Sequence, residues 1–552
     1  MPRHTITQFT GVKDNGYYWL LGLTPRRDAG KSFLIQRPKL VKIKKTGETS
    51  VTNLSLIQGF TISDVSGSAK VYAIDKAGYV YDAIRGTLSS FAQLKDLTDV
   101  ASNYPDITED PDGDLMVTTA RYLVLWTGSA WTETTHDFGA EQANYVRQII
   151  KVDDYRYIGN GNYLASWDGT TFTAQAKQLP EGYLFACGSY HNDYMAIGCN
   201  LNGKGMVVFW DSYSPGFQNQ IYLEDEIKAI YPYKGGWLAI ASEKLLYITL
   251  SSYEEISRIP DYGFASVMDI NHNGMVVVGE DVFINGGLNM YTRGKTGVWR
   301  FNMPTRSWSF IPYDDGGLRL LYNTSAGAIY YDIGTMRSLY VGYAGKPSAS
   351  TLYYVGTLRD INNTYAEVVL PIIEFSNKTK ISKIWLNLAE HLYHTDCATP
   401  NISVVAKIAD AREFVWGYAL TNNAASASNK IKIDGTISTY RGAVGDEVLV
   451  LEGQNAGLTA HISSIANEGT NTEEWTLDTS LNGNTESGVL VNVLPFKKLD
   501  VRTISANPYS QLMFDAKRIE STHFLIKFII TATAGTIQIN SVEFEYEQSS
   551  NR

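Results

Sequence analysis

The sequence predicts an all-β fold built around a β-propeller, and three observations support this. The stretch Leu115–Glu133, LMVTTARYLVLWTGSAWTE, reads as two short strands joined by a turn and followed by a third strand. Apolar strands that end on an aromatic residue before a polar turn recur along the chain, with anchors at Tyr81, Trp126, Trp167, Trp210, Tyr247, Trp299 and Tyr340. These anchors lie about 40 residues apart without helical periodicity, which is typical of four-stranded propeller blades.

Composition agrees with a rigid β-protein. The chain has 552 residues, with 36 Tyr and 47 Gly, and only 19% of its residues are charged. Tyr favours strands and Gly favours the turns between them. The formal net charge of −10 argues against a general nucleic-acid binder, because phosphate contacts need Lys and Arg. It still allows a surface past which a polyanion slides without sticking.

Cysteine usage and the first residues indicate where the protein is made. Cys187, Cys199 and Cys397 show no spacing typical of a metal site or a disulfide framework, so we expect buried free thiols. The start, MPRHTITQFT, lacks the apolar segment of a signal peptide. No apolar run is long enough for a membrane span. We therefore expect synthesis and folding in a reducing cytoplasm.

Residues 1–55 are interpreted as an N-terminal arm and the first strands. A basic strip within residues 26–45 carries eight cations and one acid, Asp28. The strip predicts a docking surface for an acidic partner or for phosphates. Solvated strand edges, where Lys also discourages aggregation, are the alternative. The candidate docking residues are Arg26, Arg27, Lys31, Arg37, Lys39, Lys42, Lys44 and Lys45.

Residues 56–350 carry the repeats and are predicted to form the propeller. Seven blades fit best, although six or eight also fit because the first and last repeats are weak. The longest gap between anchors precedes Trp299, so a long loop is expected at Ile284–Lys295. Loops on a rigid scaffold are frequent binding sites.

The remaining chain is predicted to form a β-sandwich interrupted by an insertion. Residues 360–411 and 500–552 read as alternating strands that pair with each other. Residues 412–499 between them alternate short strands with Gly and Asn turns, as in a small SH3-like or OB-like barrel. The run 419–430 within that insertion is interpreted as a flexible tip.

Several short motifs resemble chemical sites. Asp110, Asp112 and Asp114 resemble a calcium loop but lack its Glu and flanking helices, so a structural turn is favoured. Ser166–Phe172, SWDGTTF, resembles a sialidase Asp-box with one residue missing, and Asp-boxes are structural turns. The fragment Ala29–Ser32, AGKS, lacks the first Gly and the helix of a phosphate loop.

No catalytic, cofactor or metal residues are predicted. His391, His394, Asp396 and Cys397 form the nearest approach to a metal cluster, but the surroundings read as strand and loop. None of the common catalytic motifs occurs, so the chain is expected not to be an enzyme and to need no cofactor.

The layout resembles the propeller-bearing virion proteins of tailed bacteriophages, in particular the tail nozzle or tail hub of short-tailed phages. The similarity lies in a short arm with a basic segment (TPRRDAGKSFLIQRPKL), an aromatic propeller and a final sandwich that ends in INSVEFEY. It implies a structural protein of the virion tail that forms a homo-oligomeric ring, often of six copies. The ring would extend the channel for ejected DNA without binding DNA specifically, and would dock other tail proteins such as an adaptor or a fibre.

Two other functions remain open at this point. A carbohydrate-binding or sialidase-like receptor-recognition propeller would explain the abundant Trp and Tyr and the degenerate Asp-box. However, aromatics that recur at the blade period mostly pack between blades. An intracellular scaffold that binds peptides on one propeller face is supported by the fold alone.

Overall fold

The structure is a computed structural model. It describes residues 3–6, 19–21, 24–28, 31–35, 39–85, 90–259, 270–286, 297–304, 306–313, 325–332, 338–345, 351–359, 365–370, 373–388, 400–410, 418–423, 427–433, 442–450, 455, 459–468, 473–481, 483–485, 487–494, 496–505, 511–534 and 537–548.

An N-terminal segment of five strands precedes the propeller: β1 (Arg3–Ile6), β2 (Trp19–Leu21), β3 (Thr24–Asp28), β4 (Lys31–Ile35) and β5 (Lys39–Lys45).

The first six blades each contain four consecutive antiparallel strands. Their bounds are β6 (Ile57–Ser63), β7 (Lys70–Asp75), β8 (Tyr79–Ile84), β9 (Ala92–Asp96); β10 (Ile107–Glu109), β11 (Leu115–Thr118), β12 (Tyr122–Trp126), β13 (Trp131–Asp137); β14 (Ile149–Val152), β15 (Tyr155–Asn160), β16 (Tyr163–Trp167), β17 (Phe172–Gln178); β18 (Leu184–His191), β19 (Tyr194–Leu201), β20 (Lys204–Trp210), β21 (Asn219–Leu223); β22 (Ile227–Tyr233), β23 (Gly236–Ala241), β24 (Lys244–Ile248), β25 (Tyr253–Arg258); and β26 (Met275–Val278), β27 (Asp281–Gly286), β28 (Gly297–Asn302), β29 (Ser307–Pro312). One short 3₁₀ helix, Thr98–Val100, lies between the first two blades.

The seventh blade is completed from the other end of the propeller segment. It contains β30 (Ala326–Tyr331), β31 (Leu339–Gly345) and β32 (Leu352–Arg359), and its outer strand is β5. Antiparallel pairing from Arg359↔Lys39 to Tyr354↔Lys45 closes the ring. The predicted all-β propeller of about seven blades is therefore confirmed, and the closing strand comes from the basic strip.

The C-terminal third of the chain contains a sandwich and a barrel. The strands are β33 (Tyr365–Val369), β34 (Ile373–Leu388), β35 (Asn401–Asp410), β36 (Tyr418–Asn423), β37 (Lys430–Ile433), β38 (Glu447–Val450), β39 (Thr459–Ala466), β40 (Glu474–Leu477), β41 (Val489–Leu494), β42 (Lys497–Ile504), β43 (Gln511–Ala534) and β44 (Gln538–Gln548). Strands β36 to β41 form a closed barrel. The strands on either side of this insertion pair with each other, as β34 and β35 do with β43, and share one apolar core.

The N-terminal segment joins the propeller to the sandwich. β1 and β4 pair with β44, and β2 pairs with β33 on one side and with β29 of the sixth blade on the other. A single sheet of 14 strands therefore runs from the sixth blade into the sandwich. This continuity makes the described parts of the two domains one connected β-structure.

Candidate functional site

The inner strands of the blades enclose a cavity of about 340 Å³, which we call the funnel. It is lined by tyrosines and small polar side chains as well as by apolar strand residues. The polar and aromatic lining includes Thr61, Thr108, Lys151, Ser189, Tyr190, Tyr231, Tyr330 and Tyr331. A volume of this size lies at the lower end of the range of roughly 300–1,000 Å³ for small-molecule sites.

One end of the funnel is closed by hydrogen bonds that cross the propeller axis. Asn273, before the first strand of blade six, donates to the Asp106 carboxylate of blade two (2.9 Å) and accepts from Gln148 of blade three (3.0 Å). Asn273 also donates to the Gln58 carbonyl of blade one (3.2 Å), and Asn271 donates to the Gln58 side chain. We call these five residues the axial network. Since side chains from four blades meet directly, nothing the width of a nucleic-acid duplex passes along this axis.

Asp106 is the carboxylate at the centre of the axial network. Its oxygens accept from the backbone N–H groups of Ile107 and Ile149, both at 2.9 Å, besides Asn273. Burial raises the pKa of Asp106 to about 7, although these donors lower it. The network thus holds a carboxyl that titrates near neutral pH.

Lys151 places a cation in the funnel. Its side chain is reached by water but is surrounded by protein on most sides, and this partial desolvation lowers its pKa while Glu109 opposes the shift. Burial raises the pKa of Tyr330 to about 12, so the phenol stays protonated. The funnel therefore offers hydroxyl groups, one ammonium and aromatic faces.

A group of exposed tyrosines continues from the funnel onto the surface of blades three and four. Tyr190 lines the funnel, and its hydroxyl donates to Asp153 at 3.4 Å. Burial, followed by the charges of Asp153 and Asp193, raises its pKa. Tyr155 and Tyr213 have 45% and 82% of their surface exposed. Tyr155 follows Asp153 by two residues, and ring contacts from Tyr155 to Tyr157 (6.1 Å) and from Tyr157 to Trp210 (5.3 Å) connect it to the loop of Tyr213. We call Tyr155, Tyr190 and Tyr213 the tyrosine platform.

The loop that presents Tyr213 is held in place by many hydrogen bonds. Asp211 accepts from the N–H groups of Tyr213 (3.0 Å) and Ser214 (2.8 Å), and the Trp210 indole donates to the Ser214 carbonyl (2.7 Å). Lys177 donates to the Pro215 carbonyl at 2.5 Å and lies 4.6 Å from the Trp210 ring centroid. The exposed ring of Tyr213 thus projects from a braced loop.

The aspartates of the platform lie in tight turns between the first two strands of a blade. Asp153 and Asp193 have φ values of 45° and 63°, in the left-handed region that short Asp and Asn side chains tolerate. With Asp154 they surround the platform with exposed carboxylates. The platform is consequently an aromatic surface with an acidic rim.

The basic strip is divided between two places. Lys39, Lys42, Lys44 and Lys45 lie on the closing strand β5, whereas Arg26, Arg27 and Lys31 lie on the hairpin β3–β4 next to the sandwich. Arg37 lies outside the described residues. Lys42 forms an ion pair with Glu48 at 3.0 Å. The strip has a structural role through β5, and its role in docking stays a prediction.

The acidic motifs occupy turns. The Asp110 carboxylate accepts from the N–H groups of Asp112 (2.9 Å) and Asp114 (2.8 Å). In the Asp-box-like turn, Asp168 accepts from the N–H groups of Thr170 (2.9 Å) and Thr171 (2.6 Å). Within the described residues, no group of three or more His, Cys, Asp or Glu side chains is placed to hold a metal.

The other predicted features are only partly described. Cys187 and Cys199 are buried free thiols, and Cys397 lies outside the described ranges together with His391, His394 and Asp396. Of the predicted loop Ile284–Lys295, the first three residues belong to β27 and the rest falls outside the description. The predicted tip 419–430 begins as strand β36, which runs to Asn423.

Sequence reasoning missed the funnel and the tyrosine platform. A signal for them exists, because the first strand of several blades ends in Tyr followed by a polar turn, as in SYHND, IYPYKG and IYYD. Aligning the repeats on their first strands instead of their third would have brought these tyrosines together.

Comparisons with known proteins leave the function open. No protein family matches the chain, and no curated protein matches it either. Among solved structures, the chain is similar to the β-propeller domain of Cps50 (Swd1) from Myceliophteria thermophila, at 9% identity and a TM-score of 0.39, over 59% of this chain and 100% of that domain. It is also similar to the extracellular domain of a one-component system from B. thetaiotaomicron, at 12% identity and a TM-score of 0.40, over 81% of this chain and 52% of that one.

Within the described ranges, no helix has the length and apolar character needed to cross a bilayer.

Proposed function

We propose that this chain is a structural component of a phage tail, of the nozzle or hub type, and that it acts as a homo-oligomeric ring without catalysing a reaction. The observation that carries the proposal is the N-terminal segment, which closes the propeller through β5 and pairs with the sandwich strand β44 through β1 and β4. One short segment is thereby paired by strands with both domains. Such a connection suits a protein that transmits force within an assembly.

The axial network bears on the route that DNA would take through such a ring. Because Asn273 bridges to Asp106 and Gln148 across the axis, DNA would pass between subunits of the ring and not through one propeller. The net charge of −10 suits a channel wall that does not bind the DNA passing along it. The expected partners are further copies of the chain and other tail proteins, such as an adaptor or a fibre, in the virion.

Mass measurement and electron microscopy of the purified full chain test this proposal. The expected result is a closed ring with a lumen wide enough for duplex DNA, since closed symmetry is usual for homo-oligomers. A protein that stays monomeric at every concentration, and also with isolated virion tails, would contradict it.

A further inference from the structure

The funnel and the tyrosine platform form one continuous surface. Tyr190 belongs to both, since it lines the funnel and its hydroxyl donates at 3.4 Å to Asp153 in the acidic rim of the platform. The funnel is blind, because the axial network closes its far end. An occupant longer than the funnel would therefore enter end-on and leave its remaining length on the platform.

The chemistry of this surface fits a saccharide. Aromatic rings present flat apolar faces on which the C–H faces of sugar rings stack, and their polar tips stay hydrogen-bonded. Sugar hydroxyls act both as donors and as acceptors. The funnel lining offers the hydroxyls of Thr61, Thr108 and Ser189, and the platform rim offers the carboxylates of Asp153 and Asp193. We propose that the funnel holds the terminal unit of an oligosaccharide and that the next units stack on Tyr213 and Tyr155.

The charges of the surface select among saccharides. Asp153, Asp154 and Asp193 are exposed around the platform and repel anions. A carboxylated sugar would be recognised best by a free guanidinium. Arg156, which lies beside Lys151, is buried and already donates to the carbonyls of Glu109 (2.8 Å), Asp153 (2.9 Å) and Tyr155 (3.0 Å). The Lys151 ammonium in the funnel would also repel a protonated amine, and an anion would have to pass the acidic rim before it reached Lys151. The ligand is therefore an uncharged oligosaccharide, N-acetylated amino sugars included, and not a sialylated one.

The braced loop argues that Tyr213 is a preformed contact. The Tyr213 side chain, with 82% of its surface exposed, contributes little packing energy to the free chain. Its loop is nevertheless fixed by hydrogen bonds of Asp211, Trp210 and Lys177. A rigid aromatic anchor reduces the entropy lost on binding. The saccharide site goes beyond the proposed assembly role and does not depend on it, because all its residues lie in one propeller.

The test uses the full chain on a glycan array with neutral, amino-sugar and sialylated chains, followed by calorimetry on the best oligosaccharide. We expect binding to uncharged chains, N-acetylated amino sugars included, that Tyr213→Ala weakens at least about tenfold, the effect of losing a central aromatic contact. The matched control is Tyr222→Ala, on the outer strand of the same blade, where Tyr222 is 61% exposed. This control should bind as the wild type does, and both variants should unfold at the wild-type temperature.

A second variant tests the funnel itself. Ser189→Phe places a large ring in the cavity and should abolish binding of the same oligosaccharide. Unchanged affinity in Ser189→Phe or in Tyr213→Ala would overturn the two-part site. The proposal would also fail if no glycan bound, if only sialylated chains bound, or if a lysine-rich peptide bound through Tyr213 while no glycan did.

Discussion

The propeller and the C-terminal region, which contains the sandwich and the barrel, differ in how their buried polar groups are paired. At the propeller axis, the Asn273 amide donates to one carboxyl, Asp106, whose pKa is raised towards neutrality. Asn273 is itself held by hydrogen bonds to Asn271 and Gln148. Between the sandwich and the barrel, Glu447 instead lies between two ammonium groups, Lys407 at 2.9 Å and Lys527 at 3.2 Å, all three with side chains at most 3% exposed.

The two cores therefore depend on different physics. Removing one partner of a buried amide hydrogen bond leaves the other group unsatisfied, at a cost of about 1–3 kcal/mol. A buried ion triad is sensitive to single changes, since each removal leaves an uncompensated charge. Burial acts to raise the pKa of Glu447, but the two lysines lower it well below its usual range. The barrel, which supplies Glu447 from β38, is thus held on the sandwich strands by charge.

The largest effect is expected from removing residues 1–45. Without β5, the edge of β32 in the seventh blade is unpaired and the ring is open. We expect the loss to exceed the total stability of a domain, about 5–15 kcal/mol, so that cooperative unfolding disappears in calorimetry. Removing residues 1–6 alone takes away only β1 and should leave the propeller transition. An unchanged transition in the longer deletion would show that β5 does not close the ring.

The next largest effect is expected from Glu447→Ala. It leaves Lys407 and Lys527 buried without their counter-charge and should lower the free energy of unfolding by about 3–5 kcal/mol in urea denaturation. Glu520→Ala breaks an exposed pair with Lys380 (3.7 Å) and serves as a control, with a loss below about 1 kcal/mol. Equal losses in the two variants would show that the buried triad contributes no more to stability than an exposed ion pair does.

A smaller loss is expected when the axial network is cut. Asn273→Ala removes the donors to Asp106 and to the Gln58 carbonyl, and should cost about 1–3 kcal/mol in the same denaturation. Asn103→Ala, which removes an exposed bond to Asn144 (2.6 Å), should cost less than about 0.5 kcal/mol. If Asn273→Ala lowered the free energy of unfolding as much as Glu447→Ala does, the axial network would be as sensitive to single changes as the ion triad.

The raised pKa of Asp106 gives the propeller a pH dependence. A carboxyl whose folded pKa of about 7 exceeds the ordinary 3.8 binds its proton more tightly in the folded state. Its contribution to stability is full below the ordinary pKa and is lost as the pH rises through about 7. Urea denaturation across this range should show that loss in the wild type and a flatter profile in Asp106→Asn. An identical slope in both would assign the effect to other groups.

The smallest effect on stability is expected at the basic strip. Lys42→Ala removes a partly exposed pair with Glu48 (3.0 Å) on the outer strand and should cost less than about 0.5 kcal/mol. If the strip docks a neighbouring subunit, Lys42→Glu would impair ring formation in light scattering while the unfolding temperature stays the same. Normal rings in that variant would leave Lys42 with only its role at the strand edge.

The repeat could be predicted because propeller hairpins are local in sequence. Six of the seven anchors, from Tyr81 to Trp299, lie on the third strand of a blade, where the alternation of apolar residues places them in the packing between blades. Tyr340 is the exception, since it lies on the second strand of the seventh blade, β31. The sandwich and its insertion were predictable from the alternation, but β43, at 24 residues, pairs with β33, β34 and β35 in a way that no repeat reveals.

The candidate site was harder to predict. Tyr155, Tyr190 and Tyr213 read like any other strand or loop tyrosine, and the axial network joins Gln58 to Asn273 over 215 residues. The sequence by itself determined the hairpins, their period and the all-β class, because strand alternation and turn chemistry act over a few neighbouring residues. Only the tertiary structure decided the closure by β5, the blind funnel and the buried Lys407–Glu447–Lys527 triad, because contacts between distant segments form where chain closure and packing bring them together.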